Sequence, residues 1–323
     1  MRTDFHSHLY AKPFLDLMIE LGREDYRRAP AQDLDPSQRI AAMDSAGIDR
    51  QVMSFIGLNT VVDDAGGAVA AAQTLNDTYA EVGARSLGRL QSFALLPLPY
   101  VEQAISEARR AMAAPDCIGV GVACSISGRP LDDPQFDPLW SELDGLGAVV
   151  FVHPVGGDSA GHWGMAEWGM TAMFGSPMQL AIAACRLVFG GTLARFPNLR
   201  FLFAQGGGFL ASRWEAIENT VLRPGLAGHA PYILGWVRDL DIDANDPMAG
   251  FRSLWFDTAT MHQSPTLLDS ARATFGLDRL VLGSDALFGS LVDTVAFVER
   301  TDRLSDAERA SILEGGAVPL VQP

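Results

Sequence analysis

The stretch AVVFVHP, residues 148–154, has the composition of a buried strand with a polar end. Its first five residues are apolar and lack the alternation of apolar and polar residues that marks a strand with one solvent-facing side. A continuous apolar run of this length indicates a strand buried on both faces, as in a parallel sheet covered by helices. His153 follows the run directly, so this strand is predicted to carry an imidazole at its carboxyl end.

Six other stretches repeat the pattern, residues 3–9 bring the count of strands to eight, and helical patterns lie between them. The strands are predicted within residues 3–9, 51–56, 91–98, 118–125, 148–154, 199–205, 253–259 and 279–285. Amphipathic helical segments include residues 36–47, 101–114, 137–147 and 264–276, several of which end in glycine, a common helix stop. Eight strands that alternate with helices predict a (β/α)8 barrel, here a single domain over residues 1–323 with loop insertions.

Composition and charge narrow the classes of partner. The 323 residues are 48% hydrophobic and 20% charged, which is typical of a soluble globular protein. The formal net charge of -15 argues against binding to nucleic acid or to an anionic membrane, because no basic patch would easily dominate such a field. A small molecule is the expected partner.

Cysteine usage and hydropathy suggest a reducing compartment. The three cysteines, Cys117, Cys124 and Cys185, form no CxxC pair, so a disulfide framework is not expected. The first residues, MRTDFHSHLY, lack the pattern of a signal peptide. No stretch of about 18 apolar residues is recognised, so no spanning helix is predicted. We therefore expect a cytoplasmic protein.

Four side chains at predicted strand ends have the chemistry of a metal site. His6 and His8 lie two apart at the end of the first strand, which places both imidazoles on one side of it. His153 ends the fifth strand and Asp285 ends the eighth. In a barrel these ends meet at one mouth, and three imidazoles with a carboxylate suit Zn²⁺ or a similar divalent ion.

Seven segments occur along the chain in the order TDFHSHLY, RIAAMDSAGIDRQVMS, LPLPYVEQAISEARRAM, GRPLDDPQFDPLWSELDGLGAVVFVHP, LVFGGTLARFPNLRFLFAQGGG, WFDTATM and DRLVLGSD. Together they resemble the decarboxylase branch of the amidohydrolase superfamily, typified by α-amino-β-carboxymuconate-ε-semialdehyde decarboxylase and γ-resorcylate decarboxylase. The resemblance implies one divalent metal, zinc foremost and manganese as the alternative, held by His6, His8, His153 and Asp285. It also implies a small carboxylic acid as substrate and a homodimer.

The sequence departs from that family at Gln205, where relatives usually carry a histidine before the glycine triplet. An amide neither gains nor loses a proton near neutral pH, so Gln205 is not the base that deprotonates a metal-bound water. It remains able to orient a substrate by hydrogen bonding while Asp285 donates the proton in a decarboxylation. A second departure is Ala286 and Leu287, where relatives carry tyrosine and proline.

The sequence therefore favours the prediction of a non-oxidative decarboxylase that acts on an aromatic or unsaturated carboxylic acid. The alternatives are a metal-dependent hydrolase or hydratase acting on a lactone, amide or enol acid, and a ligand-binding paralogue with little catalysis. Arg213 resembles an arginine that binds a substrate carboxylate, although a surface or helix-capping role suits it equally well.

Further candidates lie in or after the longer loops. His262, and His162 with Trp163 in the long connection 156–178, are candidate substrate contacts, and a packing role is the alternative for Trp163. The apolar residues of the insertion 223–247 suggest a subunit interface. Asp257, at the end of the seventh strand, is expected to support the metal ligands.

Overall fold

A parallel eight-stranded sheet organises the chain. The computed structural model describes residues 1–55, 62–155, 165–222, 248–315 and 320. Neighbouring strands in the sheet follow chain order, and every pairing within it is parallel. The strands are β1 Thr3–His8, β2 Arg50–Ser54, β3 Leu90–Leu95, β4 Cys117–Ala123, β5 Val149–His153, β6 Arg200–Phe203, β7 Trp255–Asp257 and β8 Leu280–Val281.

Backbone hydrogen bonds between the first and the last strand bring the two edges of the sheet together. Phe5 N donates to Leu282 O at 2.9 Å, and Asp285 N donates to His6 O at 2.7 Å. The bonding therefore continues beyond the two residues assigned to β8. The predicted (β/α)8 barrel is confirmed, and all eight predicted strands are present.

Helices follow most of the strands and cover the outside of the barrel. The predicted helix stops at Gly47 and Gly276 are observed, with φ of 67° and 76°, a backbone conformation that glycine adopts without strain. The α-helices are Lys12–Glu20, Ser37–Ala46, Ala65–Arg85, Val101–Met112, Asp137–Gly145, Ser176–Phe189, Thr192–Arg195, Leu210–Leu222, Ala249–Ser253, Pro265–Phe275, Leu291–Arg300 and Asp306–Ala310. Short 3₁₀ or π turns occur at Glu24–Arg28, Pro134–Phe136, Thr171–Gly175, Gln205–Gly207 and Ser311–Gly315, and a two-residue hairpin pairs Ser125–Ile126 with Arg129–Pro130.

Aromatic side chains pack against the polar strand ends. Phe93 and Phe151 are stacked with ring centroids 5.1 Å apart, and Phe151 lies 5.0 Å from the ring of His6. Each is at most 1% exposed. This apolar packing excludes water from one side of the strand-end histidines, so their charged states depend on nearby groups rather than on solvent.

One segment has the length and composition of a membrane-spanning helix, although the sequence analysis predicted none. The segment Thr171–Phe189, with 19 residues and a mean hydropathy of 1.4, is long and apolar enough to cross a membrane by those two criteria alone. In the structure it is a π turn followed by a helix, and Leu180, Ala184 and Leu187 on that helix are buried in the core. Helices that pack on the sheet of a barrel share this composition, because one face must be apolar.

The three cysteines are free thiols, as expected. Cys124 is buried, and Cys117 and Cys185 are partly buried. Burial raises the pKa of the Cys185 thiol, which keeps it protonated at neutral pH.

Candidate metal centre at the barrel mouth

The four strand-end side chains converge at one point of the barrel mouth. One ligand atom from each of His6, His8, His153 and Asp285 lies within 4.8 Å of the others, and all four residues are buried. The Nε2 atoms of His6 and His8 are 3.3 Å apart. Asp285 Oδ1 lies 3.0 Å from His8 Nε2 and 3.4 Å from His6 Nε2.

These spacings fit a bound divalent ion. Ligands about 2.0–2.2 Å from a tetrahedral ion lie roughly 3.3–3.6 Å apart, close to the separations of the β1 histidines and Asp285. His153 adds a second sign of fit, since its Nε2 atom is buried without a hydrogen-bond partner while Nδ1 lies 2.8 Å from Pro154 O. A metal-ligating histidine commonly uses one nitrogen for the ion and the other for an orienting oxygen.

Asp257 supports the cluster from β7. The His6 Nδ1 atom donates to Asp257 Oδ2 at 2.8 Å, and both side chains are fully buried. The other oxygen, Oδ1, accepts the backbone N–H groups of Gln205 at 2.8 Å and Ala259 at 2.9 Å. The expected contact of Asp257 with the ligands is present, and this carboxylate fixes both the orientation of His6 and the loop after β6.

A second buried carboxylate, Asp4, was missed by sequence reasoning. It accepts hydrogen bonds from His6 N at 3.2 Å, from Ser284 N and Oγ at 2.9 and 2.6 Å, and from Gln51 Nε2 at 2.7 Å. Arg39 in turn donates to Gln51 Oε1 at 2.7 Å. Asp4 precedes His6 by two residues and Ser284 precedes Asp285, so these bonds join the two ligand-bearing strands. The signal was in the sequence, because an aspartate inside a buried strand requires several donors.

The protonation states suit a cation-binding site. Burial lowers the pKa of His6, but the charges of Asp257 and Asp285 outweigh it and raise that pKa to about 10. Burial lowers the pKa of His8 and of His153, and the neighbouring His6 charge lowers both further, so these imidazoles are neutral. Burial raises the pKa of Asp285, but His6 and His8 outweigh it and hold that pKa far below its usual range. The metal-free site thus places one imidazolium where a metal ion would bring positive charge.

Gln205 occupies a constrained turn beside Asp285. Its φ of 53° lies in the left-handed region, and its side-chain Nε2 donates to Asp285 Oδ2 at 3.4 Å, the oxygen that turns away from the β1 histidines. The glycines that follow also have positive φ values. At Gly208 a Cβ atom would lie 2.2 Å from Pro177 O, so the loop packs too closely on the preceding helix, Ser176–Phe189, for any side chain there.

Of the remaining predicted site residues, the structure describes Arg213 and His262, and neither belongs to the ligand cluster. Arg213 is exposed in the first turn of the helix Leu210–Leu222. The ring of His262 is half-buried, with Nδ1 at 3.3 Å from Thr294 Oγ1 on a neighbouring helix. His162, Trp163 and the insertion 223–247 lie outside the described residues.

Aromatic residues that sequence reasoning missed form one wall of the mouth. Phe288, three residues after Asp285, is 60% exposed, and its ring centroid lies 5.6 Å from that of His8. The buried ring of Tyr10 packs beside both, 6.4 Å from His8 and 5.9 Å from Phe288 between ring centroids. Burial and the negative charge of Asp285 raise the pKa of the Tyr10 hydroxyl. The spacing HxHxY on one strand end was the available signal.

A groove reaches Gln205 from the outside of the barrel. Its volume is about 650 Å³, and its lining includes Gln205, Gly208 and Phe209 together with Pro177 and Leu267 from two outer helices. Gln205 is therefore accessible from this groove as well as adjacent to the ligand cluster.

A parallel barrel with three histidines and an aspartate at the carboxyl ends of its strands defines an amidohydrolase-type metal site. The amidohydrolase family profile matches residues 3–321, and the chain belongs to that family.

The most informative similarities are to decarboxylases. The chain is 27% identical to 2-amino-3-carboxymuconate-6-semialdehyde decarboxylase of Dictyostelium discoideum over 322 residues, which covers 98% of this chain and 82% of that protein. The structure of 5-carboxyvanillate decarboxylase from Sphingomonas paucimobilis has a TM-score of 0.83 at 19% identity and covers 99% of this chain and 98% of that one. A dihydroxybenzoic acid decarboxylase from Polaromonas sp. JS666, solved with bound manganese and the inhibitor 2-nitroresorcinol, has a TM-score of 0.81 at 22% identity, with 99% and 96% covered.

Proposed function

We propose that this protein is a metal-dependent, non-oxidative decarboxylase of a small aromatic or unsaturated carboxylic acid. The observation that carries the proposal is the pairing of a complete ligand cluster with Gln205, an amide, at the position where a water-activating base would be needed. General-base catalysis typically contributes about 10²- to 10⁴-fold, so a water-activating hydrolase would be severely impaired by an amide there. A decarboxylase requires only that the acid be oriented and a carbon protonated.

His6, His8, His153 and Asp285 would hold the ion. Three imidazoles and a single carboxylate favour Zn²⁺, with Mn²⁺ as the alternative. When bound, the ion would neutralise and orient the carboxylate of the acid. The side chains of this protein supply the remaining requirements, which are a proton for the carbon and a dry site.

Asp285 is the proposed proton carrier. In the metal-free site the β1 histidines hold the pKa of Asp285 low, so its carboxylate is ionised. To act as the acid it would first take up a proton, which the hydroxyl group of the incoming hydroxy acid would supply. It then gives that proton to the carbon that bears the carboxylate, the carbon–carbon bond breaks, and CO₂ leaves. The displaced electron pair returns to the ring oxygen, which takes a proton from solvent, so one proton is consumed in total.

Gln205 is proposed to hold Asp285 in place for this transfer. Its amide N–H contacts Asp285 Oδ2, while Oδ1 faces His8. A donor at Oδ2 fixes the plane of the carboxylate without competing for the proton, because the amide does not titrate near neutral pH. The part of the acid that projects away from the carboxylate would be oriented by the same amide.

The oligomeric state and the location of the protein are also part of this proposal. We infer a homodimer, and the exposed apolar side chains Trp168, Met173, Phe174 and Ile182 near one barrel helix support it, since such surface is usually covered. A monomeric mass in light scattering at micromolar concentration would contradict the dimer. We infer a cytoplasmic location from the free cysteines.

The test is a substrate panel on metal-loaded protein. Purified protein is stripped with a chelator, reloaded with Zn²⁺ or Mn²⁺, and assayed for CO₂ release from 2,6-dihydroxybenzoate, 2-hydroxybenzoate and unsaturated dicarboxylic acids. Lactones and amides are assayed in parallel for hydrolysis, and the variant His6→Ala/His8→Ala is the matched control. We expect metal-dependent CO₂ release, whereas hydrolysis without CO₂ release would replace the proposal with a hydrolase.

A further inference from the structure

A single arginine, Arg39, connects the backbone of one metal ligand with the network that supports another. Arg39 lies in the first turn of the helix Ser37–Ala46, which packs outside the barrel. Its Nη2 atom donates to His8 O at 2.7 Å, and its Nη1 atom donates to Gln51 Oε1 at 2.7 Å and to Ser7 Oγ at 3.3 Å. The planar guanidinium therefore holds three acceptors at once, a task that suits the fork geometry of arginine.

The contact with Gln51 extends to the strand end that carries Asp285. Gln51 is 1% exposed, and its Nε2 atom donates to Asp4 Oδ2 at 2.7 Å. Asp4 in turn accepts the backbone N–H and the hydroxyl group of Ser284, the residue before Asp285. Arg39 thus touches the backbone of one ligand directly and the neighbour of a second ligand through two buried side chains.

Stability alone does not account for this use of an arginine. Within the part of the chain that the structure describes, Arg39 donates to uncharged oxygens and forms no direct ion pair. Burial lowers the pKa of its guanidinium, so the cation is held partly away from water. A cation in that environment without a carboxylate beside it costs free energy that an apolar side chain would not. Arg89, which also donates to two backbone carbonyls, has the more usual arrangement, because it is paired with Asp44 at 2.6 Å.

We propose that Arg39 is a positioning residue of the metal centre, which sets the spacing between the strand ends that carry His8 and Asp285. The ligand atoms His8 Nε2 and Asp285 Oδ1 lie 3.0 Å apart. Ser54 Oγ, 3.2 Å from His8 Nδ1, orients the imidazole, and Arg39 fixes the peptide that carries it. Groups that orient ligands raise the affinity for the ion although they do not touch it. The inference rests on the metal site of the proposed function and not on the reaction assigned to that site.

A cavity beside Arg39 gives small molecules access to the position of its side chain. The cavity has a volume of about 430 Å³ and lies between the helix that carries Arg39 and the loop after β8, with Gln51 and Leu287 in its lining. The lining also includes the exposed carboxylates Asp33 and Asp35, so the cavity opens to solvent and attracts cations. Truncation of Arg39 to alanine would enlarge this cavity by the volume of a guanidinium group. A free guanidinium ion should therefore be able to replace the missing side chain.

The experiment measures metal affinity in Arg39→Ala and Arg39→Lys. Competition with a colorimetric chelator gives the affinity for Zn²⁺, and the visible absorption of Co²⁺-loaded protein reports the geometry of the ligands. We expect both variants to bind Zn²⁺ about tenfold more weakly than the wild type, because the lysine ammonium keeps the charge but not the fork. Millimolar guanidinium chloride should restore the zinc affinity and the Co²⁺ spectrum of Arg39→Ala, and sodium chloride at the same concentration should not.

Two controls separate positioning from charge and from stability. Coulomb repulsion alone predicts that removing a positive charge raises the affinity for a cation, so a weaker affinity in Arg39→Ala is not a charge effect. Arg89→Ala removes an arginine bound to Ile48 O and Asp49 O at the amino end of β2, away from the ligand cluster. It should lower the melting temperature of the metal-free protein and leave the zinc affinity unchanged.

The proposal is overturned if Arg39→Ala keeps the zinc affinity of the wild type, or if Arg89→Ala loses as much affinity as Arg39→Ala. Should Arg39→Ala fail to fold, Arg39→Lys is compared with Arg89→Ala in the same way, and wild-type affinity in Arg39→Lys overturns the proposal.

The outcomes also distinguish this proposal from the proposed function. If Arg39→Ala loses zinc affinity in a protein that releases no CO₂ from any acid, the role of Arg39 is supported and the decarboxylase is contradicted. If the protein releases CO₂ and Arg39→Ala keeps wild-type affinity, only the role of Arg39 is contradicted. A wild type that binds neither zinc nor manganese overturns both.

Discussion

The two sides of the barrel mouth are built differently. On the side of β1, β7 and β8, His6 is bonded to Asp257, and Asp4 accepts four hydrogen bonds, two of which come from Ser284 and join β1 to the segment after β8. On the side of β5 and β6, one ring nitrogen of His153 has no hydrogen-bond partner and the other contacts Pro154 O. The side chain of Gln205 meets the cluster through a long 3.4 Å hydrogen bond.

This difference assigns separate tasks to the two sides. We call the side of β1, β7 and β8 the networked side and the side of β5 and β6 the sparse side. A dense network of hydrogen bonds holds side chains in one geometry without an ion, which is what preorganised ligands require. The sparse side leaves polar atoms free, so it can accept an ion at His153 and a substrate near Gln205. One of the two departures from the usual family sequence, Gln205, falls on the sparse side, where a change of side chain costs little of the framework.

Removing both β1 histidines should have the largest effect, because it empties the networked side of its ligands. We expect His6→Ala/His8→Ala to retain no stoichiometric zinc or manganese after dialysis and to lose all metal-dependent turnover. Elemental analysis and far-ultraviolet circular dichroism on the same sample separate metal loss from unfolding. A folded variant that keeps one full equivalent of metal would rule out this ligand set.

The networked side should also respond to pH once the metal is removed. The pKa of His6 is about 10 in the folded protein and about 6.5 in an unfolded chain, so its contribution to stability is complete below pH 6.5 and is lost as the pH rises toward 10. Urea unfolding of chelator-treated protein should show this decline. Metal-loaded protein and His6→Gln, which both lack the imidazolium, should show a smaller one, and equal slopes in all three would contradict the assignment.

Sequence reasoning predicted most of the framework. Continuous apolar runs located seven of the eight strands, and residues 3–9 were added to complete the alternation. The strand-end positions of His6, His8, His153 and Asp285 located the cluster, because parallel strands bring their carboxyl ends to one face. Helix ends were accurate where a glycine with positive φ marks them, as at Gly47 and Gly276.

The other parts of the site depend on contacts between distant segments. Asp4 is bonded to Ser284 across 280 positions of the chain, and no local pattern announces which buried carboxylate will meet which donor. Phe288 lines the mouth because the chain turns after Asp285, which has a left-handed φ of 58°. Composition alone is also ambiguous at Thr171–Phe189, where a helix that packs on the barrel has the length and composition of a spanning one.

Asp257 connects the two sides, so its replacement should have an intermediate effect. Asp257→Asn keeps the shape of the side chain but removes the charge that orients His6. Its amide N–H group would also face the N–H donor of His6 or of Gln205, so at least one hydrogen bond is lost. Loss of a carboxylate partner of a ligating histidine typically costs about 10- to 100-fold in metal affinity or activity. Competition with a colorimetric chelator measures the affinity, and Asp293→Asn, an exposed aspartate at a helix start, is the control. Unchanged affinity would mean that the Asp257 bond does not orient the ligand.

Gln205 should give the smallest effect and the sharpest test of the sparse side. The bond from Gln205 to Asp285 is long and the side chain is only half-buried, so Gln205→Ala should cost about 1 to 2 kcal/mol in transition-state stabilisation, the lower part of the range for a hydrogen-bond partner left unpaired. The decline should appear in kcat/KM with metal content unchanged.

The substitution Gln205→His restores the side chain that relatives usually carry and decides what Gln205 does. If the amide serves to hold Asp285 for direct protonation of carbon, an imidazole at this position supplies no missing step, and CO₂ release should stay within about tenfold of the wild type. Gln205→Asn, an amide on a shorter stem, is the matched control for geometry without a titratable group. Strong activity in Gln205→His on an acid that the wild type does not turn over would show that a proton-transfer group had been missing. In that case the wild type is a binding protein or an enzyme of another reaction, and its sparse side lacks a catalytic proton-transfer group rather than serving to orient a substrate.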